Sequence, residues 1–261
     1  MEGGCVMNIG LRLSMWGDGG NKVPYVTKDL CTWWDGEWNQ GEIGVHDANA
    51  QDWVDLGGRD MVLGNKVGSI TVGDNYYASV NGTKSRLSNS IDKMLMDATE
   101  GTIEVVLDPS QITGFIPLFA IRPTRYAPAV ELYRHNRDGV PVVYWECLNN
   151  ESSILHNYNI NGNESSVLRN TSITCDKNGL MKTYVNGEEQ STLGILSPNI
   201  FTSISSEGGT SIYTEIYHAQ SALSNFPGTC KIYCIRAYTR ALTAAEIASN
   251  YAADCKRFPI T

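Results

Sequence analysis

Asn178-Gly179 and Asn186-Gly187 stand eight residues apart, with the strand-like run Leu180 to Val185 between them. Asn-Gly accepts the positive φ angles that a two-residue hairpin turn demands, so two such signals at this spacing read as a β-meander. The same grammar runs through the chain. Leu30 to Trp34 is apolar and stops at Asp35-Gly36; Tyr76 to Val80 stops at Asn81-Gly82. Thr102 to Leu107 sets Ile103, Val105 and Leu107 on one face against Glu104 and Val106, and Pro109 ends it. Phe115 to Ile121 and Ala129 to Arg134 follow, and Asp138-Gly139 joins the latter to Val140–Leu148 as a hairpin. Val167 to Cys175, Ile212 to Ala219 and Cys230 to Tyr238 complete ten or more strands. No βαβ alternation interrupts them. The fold class this predicts is all-β: a two-sheet antiparallel sandwich or jelly roll.

The composition fits strands and turns. Charged residues make up 18% of the chain and glycine occurs 25 times. The net charge of −8 carries no basic stripe, which argues against a nucleic-acid surface, since that needs clustered Lys and Arg. No apolar run is long enough to span a membrane. Met1-Glu2-Gly3-Gly4 opens no basic-then-apolar pattern, so no signal peptide is expected. The cysteines are Cys5, Cys31, Cys147, Cys175, Cys230, Cys234 and Cys255, seven in all, with no framework spacing. They read as reduced, small apolar residues from a reducing compartment. Cys230 and Cys234 on one strand would lie roughly 13 Å apart, too far for a disulfide.

Two regions depart from the strand pattern. Residues 1–26 lack periodicity and read as an N-terminal arm docking on the body or on a partner subunit; residues 27–261 form the domain. Near the other end, Tyr238 to Tyr251 reads as one short C-terminal helix. Thr243 and Glu246 have the spacing of a capping box. Ala244, Ile247, Ala248 and Tyr251 fall at i, i+3, i+4 and i+7, an apolar stripe expected to lie on the sandwich, with Tyr238 and Tyr251 as anchors.

The run Ile232 to Thr243, with its Arg-x-Tyr-x-Arg-Ala-Leu-Thr, followed by Glu246-Ile247 and Asn250-Tyr251, resembles the closing strand and helix of LamG-like domains. These belong to the concanavalin A-like lectin/glucanase superfamily. Tyr184-Val185-Asn186-Gly187-Glu188 is similar to the family's hairpin turn. Trp53-Val54-Asp55-Leu56-Gly57-Gly58 resembles its W-x-D-L-S-G segment, with Gly57 in place of Ser. The resemblance covers about Lys28 to Phe258, with gaps. It implies a concanavalin A-like jelly roll and a role in glycan binding, adhesion or structure more often than catalysis. Domains of this variety without a signal peptide look similar to those in tail and capsid-surface proteins of phages and prophages. That places the chain on a virion surface after synthesis in the host cytoplasm, with a bacterial cell surface as the alternative.

Catalytic patterns are thin. Glu104 and Asp108 share a strand face at roughly 13 Å, beyond the reach of a glycosidase pair. His46, His135, His156 and His218 show no metal-ligand spacing. Sugar chemistry asks for aromatic faces beside amides and carboxylates, because a sugar has an apolar C–H face and a polar rim. Trp33, Trp34, Trp38 and Trp53 cluster near Asp35, Asn39, His46, Asp47 and Asn49. Trp33 and Trp34 must face opposite sides of a strand. The glycan-binding candidates are Trp34, Trp38, Asn39, His46, Asp47, Asn49 and, on a central strand, Trp145; the alternative for each tryptophan is packing. Trp38, past the turn, is the best placed. No cofactor is required. By the resemblance, Ca²⁺ could be held by Asp47, Asn49, Asp74 and Asn75, with solvated turns as the alternative.

The function expected is a non-catalytic carbohydrate-binding or adhesion module on a virion. The partners expected are a host-surface or environmental glycan, plus other virion subunits or self-association through the arm. The alternatives are a purely structural assembly protein and, further off, a glycoside hydrolase.

Overall fold

A computed structural model describes residues 25–57, 62–67, 70–79, 85–90, 98–108, 116–122, 129–137, 140–148, 154–156, 169–195, 199–206, 213–218, 230–258 and 260. Of the expected arm, only Tyr25 and Val26 fall within them.

The described strands form two sheets. The first runs β14 (Glu188–Ile195), β13 (Leu180–Val185), β12 (Arg169–Cys175), β7 (Gly101–Asp108), β16 (Lys231–Tyr238), β5 (Tyr77–Ser79) and β4 (Ile70–Val72). β1 (Leu30–Asp35) also pairs with β16, beside the half of it that β5 leaves open. The second runs β11 (Ile154–His156), β10 (Val140–Leu148), β9 (Ala129–Arg137), β8 (Ile116–Arg122), β15 (Tyr213–His218), β6 (Ser85–Ser90), β3 (Val62–Val67) and β2 (Trp53–Val54). Every pairing between these strands is antiparallel. Among the described residues the helices are α1 (Ile200–Ser206) and α2 (Ala244–Arg257). The all-β sandwich with one C-terminal helix is therefore the observed architecture, with the short α1 added.

Alternation along the strands sorts the core. Ile103, Val105 and Leu107 of β7 and Ile232, Ile235 and Ala237 of β16 face inward and meet Leu132, Val143 and Trp145 of the second sheet in one buried cluster. The Trp145 indole N–H donates across the sandwich to Thr171 Oγ1 at 3.0 Å. The opposite face of the first sheet carries a second cluster of Leu30, Trp33, Val106, Tyr233 and Tyr238, closed by Leu242, Ile247 and Phe258. The second sheet covers the first core, and α2 covers the second, on what would otherwise be the outer face.

Of the two Asn-Gly turns, the second has the expected positive φ at both residues and the first has it only at its glycine. Asn186 and Gly187 have φ of 51° and 80°, and Val185 pairs with Glu188. Gly179 has φ 82°, and the Asp176 carboxylate accepts from the Asn178 and Leu180 amides. β14, β13 and β12 are the meander. Arg137 pairs with Val140, closing the expected β9–β10 hairpin around Asp138-Gly139, which lie outside the described residues. The six described cysteines are all free thiols.

The helix differs from the expectation. It runs to Arg257, six residues past Tyr251, and the face it buries is Ile247, Asn250, Ala253 and Asp254. Ala244 and Ala248 are exposed, and Tyr251 is half-buried. Of the expected stripe, Ile247 is buried and Tyr251 lies against Gly187, and the docking face is turned from the stripe to take in Asn250, Ala253 and Asp254, because the sheet below offers charges as well as apolar surface.

Arg236 and Glu104 stand on that outer face and are almost wholly buried. The Arg236 guanidinium donates to both oxygens of Asp254 (2.8 and 2.6 Å) and through Nε to Glu104 Oε2 (2.8 Å). Asn250 donates to the same Glu104 oxygen and to the Tyr238 hydroxyl. Asn170 Nδ2 donates to Asp254 at 2.7 Å. The N-terminal segment closes this assembly. Tyr25 donates its hydroxyl hydrogen to Asp254, and the Val26 amide donates to Asn250 Oδ1. The Arg236 guanidinium lies 4.3 Å from the Tyr25 ring centroid. Burial pushes the Glu104 carboxyl upward against the pull of Arg236, and pushes the Tyr25 phenol strongly upward.

At its other end the helix starts as expected. Thr243 Oγ1 accepts from the Glu246 amide, and Glu246 accepts from the Thr243 amide. Arg240 grips both Glu246 oxygens at 2.8 and 2.6 Å. Thr102 latches the connection by donating to the Arg240 carbonyl and accepting from the Leu242 amide.

Candidate functional site

The segment after β1 holds most of the candidate residues, and local chemistry explains its path. Asp55 anchors its far end. One oxygen of Asp55 accepts from Thr32 Oγ1 and from the backbone amides of Trp33 and Gly57 (3.0, 2.6 and 2.8 Å). A Cβ on Gly57 would lie 2.9 Å from that oxygen and 3.0 Å from Thr32 Cα. The missing side chain at this motif position is therefore a packing requirement. Trp53 is buried, stacks on Tyr77 at 4.4 Å and donates to the Asp35 carbonyl at 2.8 Å. Gly36 lies so close to the neighbouring loop that a Cβ there would sit 2.4 Å from the Asn75 carbonyl oxygen.

From Glu37 to Asp52 the chain makes a loop whose ends are pinned. Gln40 bridges to Val54, and the Val54 amide donates to the Asn39 carbonyl at 3.0 Å. Asn39 is wholly buried and clamps the loop across its base. Its Nδ2 donates to the Asp47 carbonyl and its Oδ1 accepts from the Asp47 amide, both at 2.9 Å. Asp47 Oδ1 accepts from the Asn49 amide at 2.8 Å, and Gln51 Nε2 donates to the Asn49 carbonyl. Gly41 and Gly44 supply the left-handed residues that the curve needs, with φ of 75° and 81°. The tip exposes His46, Asp47 and Asn49 together with Val45.

The expected residues therefore divide. His46, Asp47 and Asn49 share one ordered, exposed tip. Asn39 is the clamp beneath them and is too buried to touch a ligand. Trp34 and Trp145 are corrections: both are 0% exposed and sit in the core between the sheets, where no sugar can reach them. Trp33 is buried as well, under the helix. Both tryptophans of the Trp33-Trp34 pair pack, because each face of the first sheet has a cover.

Trp38 is half-buried. Arg257 seats its guanidinium 3.9 Å from the Trp38 ring centroid, and Trp33 meets the same ring edge-on at 5.9 Å. The indole is thus part of the root of the loop, and any stacking role falls to the surface that Arg257 and Trp33 leave uncovered. Arg257 was not legible as a site residue. It lies more than 200 positions along the chain, and only the docking of α2 brings it here.

Asp74 is exposed and Asn75 half-buried, on the turn between β4 and β5. No group of three or more His, Cys, Asp or Glu side chains that could hold a metal ion is found among the described residues.

A second constellation lies on the outer face of the second sheet. Glu131 and Glu146 are direct cross-strand partners, next to the Tyr133–Tyr144 pair. The two rings stack at 5.6 Å, and the Tyr133 hydroxyl donates to Glu131. Burial first, and the Glu131 carboxylate second, push Glu146 up to about 7. A search for acids along a single strand misses this pair, because the two carboxylates meet only across a hairpin.

No protein-family model matches the sequence, and no curated protein does. Solved structures of similar fold do match. The receptor-binding domain of botulinum neurotoxin C/D mosaic serotype superposes with a TM-score of 0.61 at 11% identity, over 87% of this chain and 52% of that one. The binding domain of Paraclostridial Mosquitocidal Protein 1 gives 0.59 at 12% identity, over 86% of this chain and 52% of that one. Trypanosoma rangeli sialidase in complex with sialic acid gives 0.57 at 14% identity, over 90% of this chain and 34% of that one. The chain thus spans about half of the toxin domains and about a third of the sialidase. At these identities the likeness is one of fold.

Proposed function

We propose that this chain is a non-catalytic carbohydrate-binding or adhesion module, carried on the surface of a phage or prophage particle as a tail or capsid-surface protein. The observation that carries the binding reading is the clamped loop tip. Asn39 holds the Asp47 backbone from beneath, so the imidazole of His46, the carboxylate of Asp47 and the amide of Asn49 stand on a pinned, exposed turn. Such groups match the polar rim of a sugar, and pre-organisation removes part of the ordering cost of binding. Proteins of similar fold include receptor-binding domains and a sialidase crystallised with sialic acid, which supports the binding class. The virion setting rests on the resemblance of the closing strand and helix to phage LamG-like domains. A glycan array probed with the whole chain tests the binding, and protein identification on purified particles tests the setting. A blank array, together with absence from the particles, overturns the proposal.

A second reading, glycoside hydrolysis, is favoured by one observation: the Glu131–Glu146 pair. Cross-strand partners have Cβ atoms about 4.5–5.5 Å apart, which puts both carboxyls over one patch of the sheet face, and a retaining glycosidase uses two neighbouring carboxyls with one pushed up in pKa. Release of reducing ends from a polysaccharide panel, abolished by Glu146→Gln, would establish it. No release leaves the binding reading in place.

A further inference from the structure

Arg257 has contacts that neither the packing of α2 nor the buried assembly around Arg236 requires. It stands in the last helical turn, with its side chain 11% exposed. Its two terminal nitrogens fork onto both Asp35 oxygens at 2.7 and 2.8 Å. One of them also donates to Glu37 Oε2 at 2.7 Å, and the other to the Tyr25 hydroxyl at 3.1 Å. The flat of the guanidinium covers the Trp38 ring. Asp35, Glu37 and Trp38 are the residues through which the chain leaves β1 and enters the loop, and Asn39, the clamp, comes next. Asp35 is itself committed: it also accepts from the Trp33 indole N–H at 3.0 Å and from the Glu37 amide at 3.1 Å.

We infer that Arg257 is the positioning residue of the glycan-binding loop. It fixes the loop's root through Asp35, Glu37 and Trp38, and so sets the height and angle at which Asn39 presents His46, Asp47 and Asn49, without touching the ligand itself. The inference rests on the binding reading for its consequence and on the clamp geometry for its content. A lysine cannot replace it. The planar fork is what spans Asp35 and Glu37 while stacking on an aromatic ring, and an ammonium offers a point charge with no stacking face.

The test compares R257K, R257A and E37Q with Ile247→Ala, a destabilising change on the same helix nearly three turns before Arg257. Glu37 keeps 43% of its side chain exposed, so E37Q is the milder change and leaves folding intact even where an Arg257 variant does not. Amide hydrogen exchange over residues 39–50, and the Trp38 indole N–H resonance, are read without any ligand. The array's best glycan is then titrated into each variant that binds. Loop exchange should rise roughly tenfold or more in R257K, R257A and E37Q, the Trp38 resonance should move, and glycan affinity should fall about tenfold (about 1.4 kcal/mol). Ile247→Ala should leave all three unchanged. Loop exchange that rises no more in the Arg257 and Glu37 variants than in Ile247→Ala overturns the inference. So does a loosened loop that binds its glycan with undiminished affinity. If the wild type binds no glycan, the binding reading fails, and the exchange data still decide whether Arg257 positions the loop.

Discussion

The Arg236 guanidinium closes a bidentate ion pair on Asp254 at 2.8 and 2.6 Å inside a fully buried site. One partner comes from the last strand and the other from the helix that follows it, with Glu104 of the central strand as the third charge. Removing one member leaves the others buried and uncompensated, which costs about 3–5 kcal/mol. Arg236→Leu should therefore lower stability by about that amount in urea unfolding. Converting Arg236, Glu104 and Asp254 together to apolar residues of similar volume should cost much less, because no charge is then left unpaired.

Gly36 offers a smaller and sharper test. Its missing Cβ lets the Asn75 backbone pass at a distance that no side chain permits. Gly36→Ala should destabilise by about 1–3 kcal/mol, the usual range for overpacking. Amide exchange should rise on both sides of the contact, at residues 36–38 and 73–76. Gly44, whose added Cβ would meet nothing within 4 Å, stands at φ 81°. Gly44→Ala should cost only the backbone strain, with no response around Asn75.

Glu146 sets a direction for the pH dependence of stability. Its pKa in the folded chain is raised to about 7 from an ordinary value of 4.5. The folded state therefore binds more protons than the unfolded state between those values, and this group's contribution to stability falls as pH rises through that window. Glu146 is half-buried, so solvent screening reduces the slope below its full value. Glu146→Gln should flatten the profile between pH 4.5 and 7 and raise the urea midpoint at pH 8. A profile that Glu146→Gln leaves unaltered would show that burial does not hold the proton there.

Glu246 behaves in the opposite sense. Its pKa is lowered to about 2, first by the Arg240 hydrogen bonds and then by those of the helix cap. The stability it contributes is complete above about 4.5 and is lost as pH falls toward 2. Thr243→Ala should cost about 1 kcal/mol at neutral pH through loss of the cap. Thermal unfolding of Thr243→Ala and wild type at pH 7 and pH 3 checks both statements, and the difference between the two proteins should shrink at the lower pH.

Much of the sandwich is written in local pattern. β7, β10 and β13 follow from alternation, and the Asn186-Gly187 turn from its two residues that tolerate positive φ. β6, with the sequence SRLSNS, carries no such pattern, and its pairing is supplied by strands that no local window contains. β14, EEQSTLGI, lacks alternation of its own and follows only from the Asn186-Gly187 hairpin turn that precedes it. The helix is legible in its cap and in Ile247, but not in the polar part of its buried face. Asn250 and Asp254 are polar in sequence and gain partners only from Arg236, Glu104 and Asn170, far away in the chain. The same limit governs the candidate site. His46, Asp47 and Asn49 could be read as an exposed loop, whereas burial of Trp34, Trp145 and Asn39, and the arrival of Arg257, depend on which faces of two sheets are covered.

The most direct test of the central claim is a calorimetric titration of the array's best glycan into the wild type and into a His46→Ala/Asp47→Ala/Asn49→Ala variant. The account predicts saturable one-site binding by the wild type and a loss of at least a hundredfold in the variant, with unfolding midpoints that stay close because the changed side chains are exposed. Equal affinity in the two proteins would contradict it and would move the binding surface away from the clamped loop.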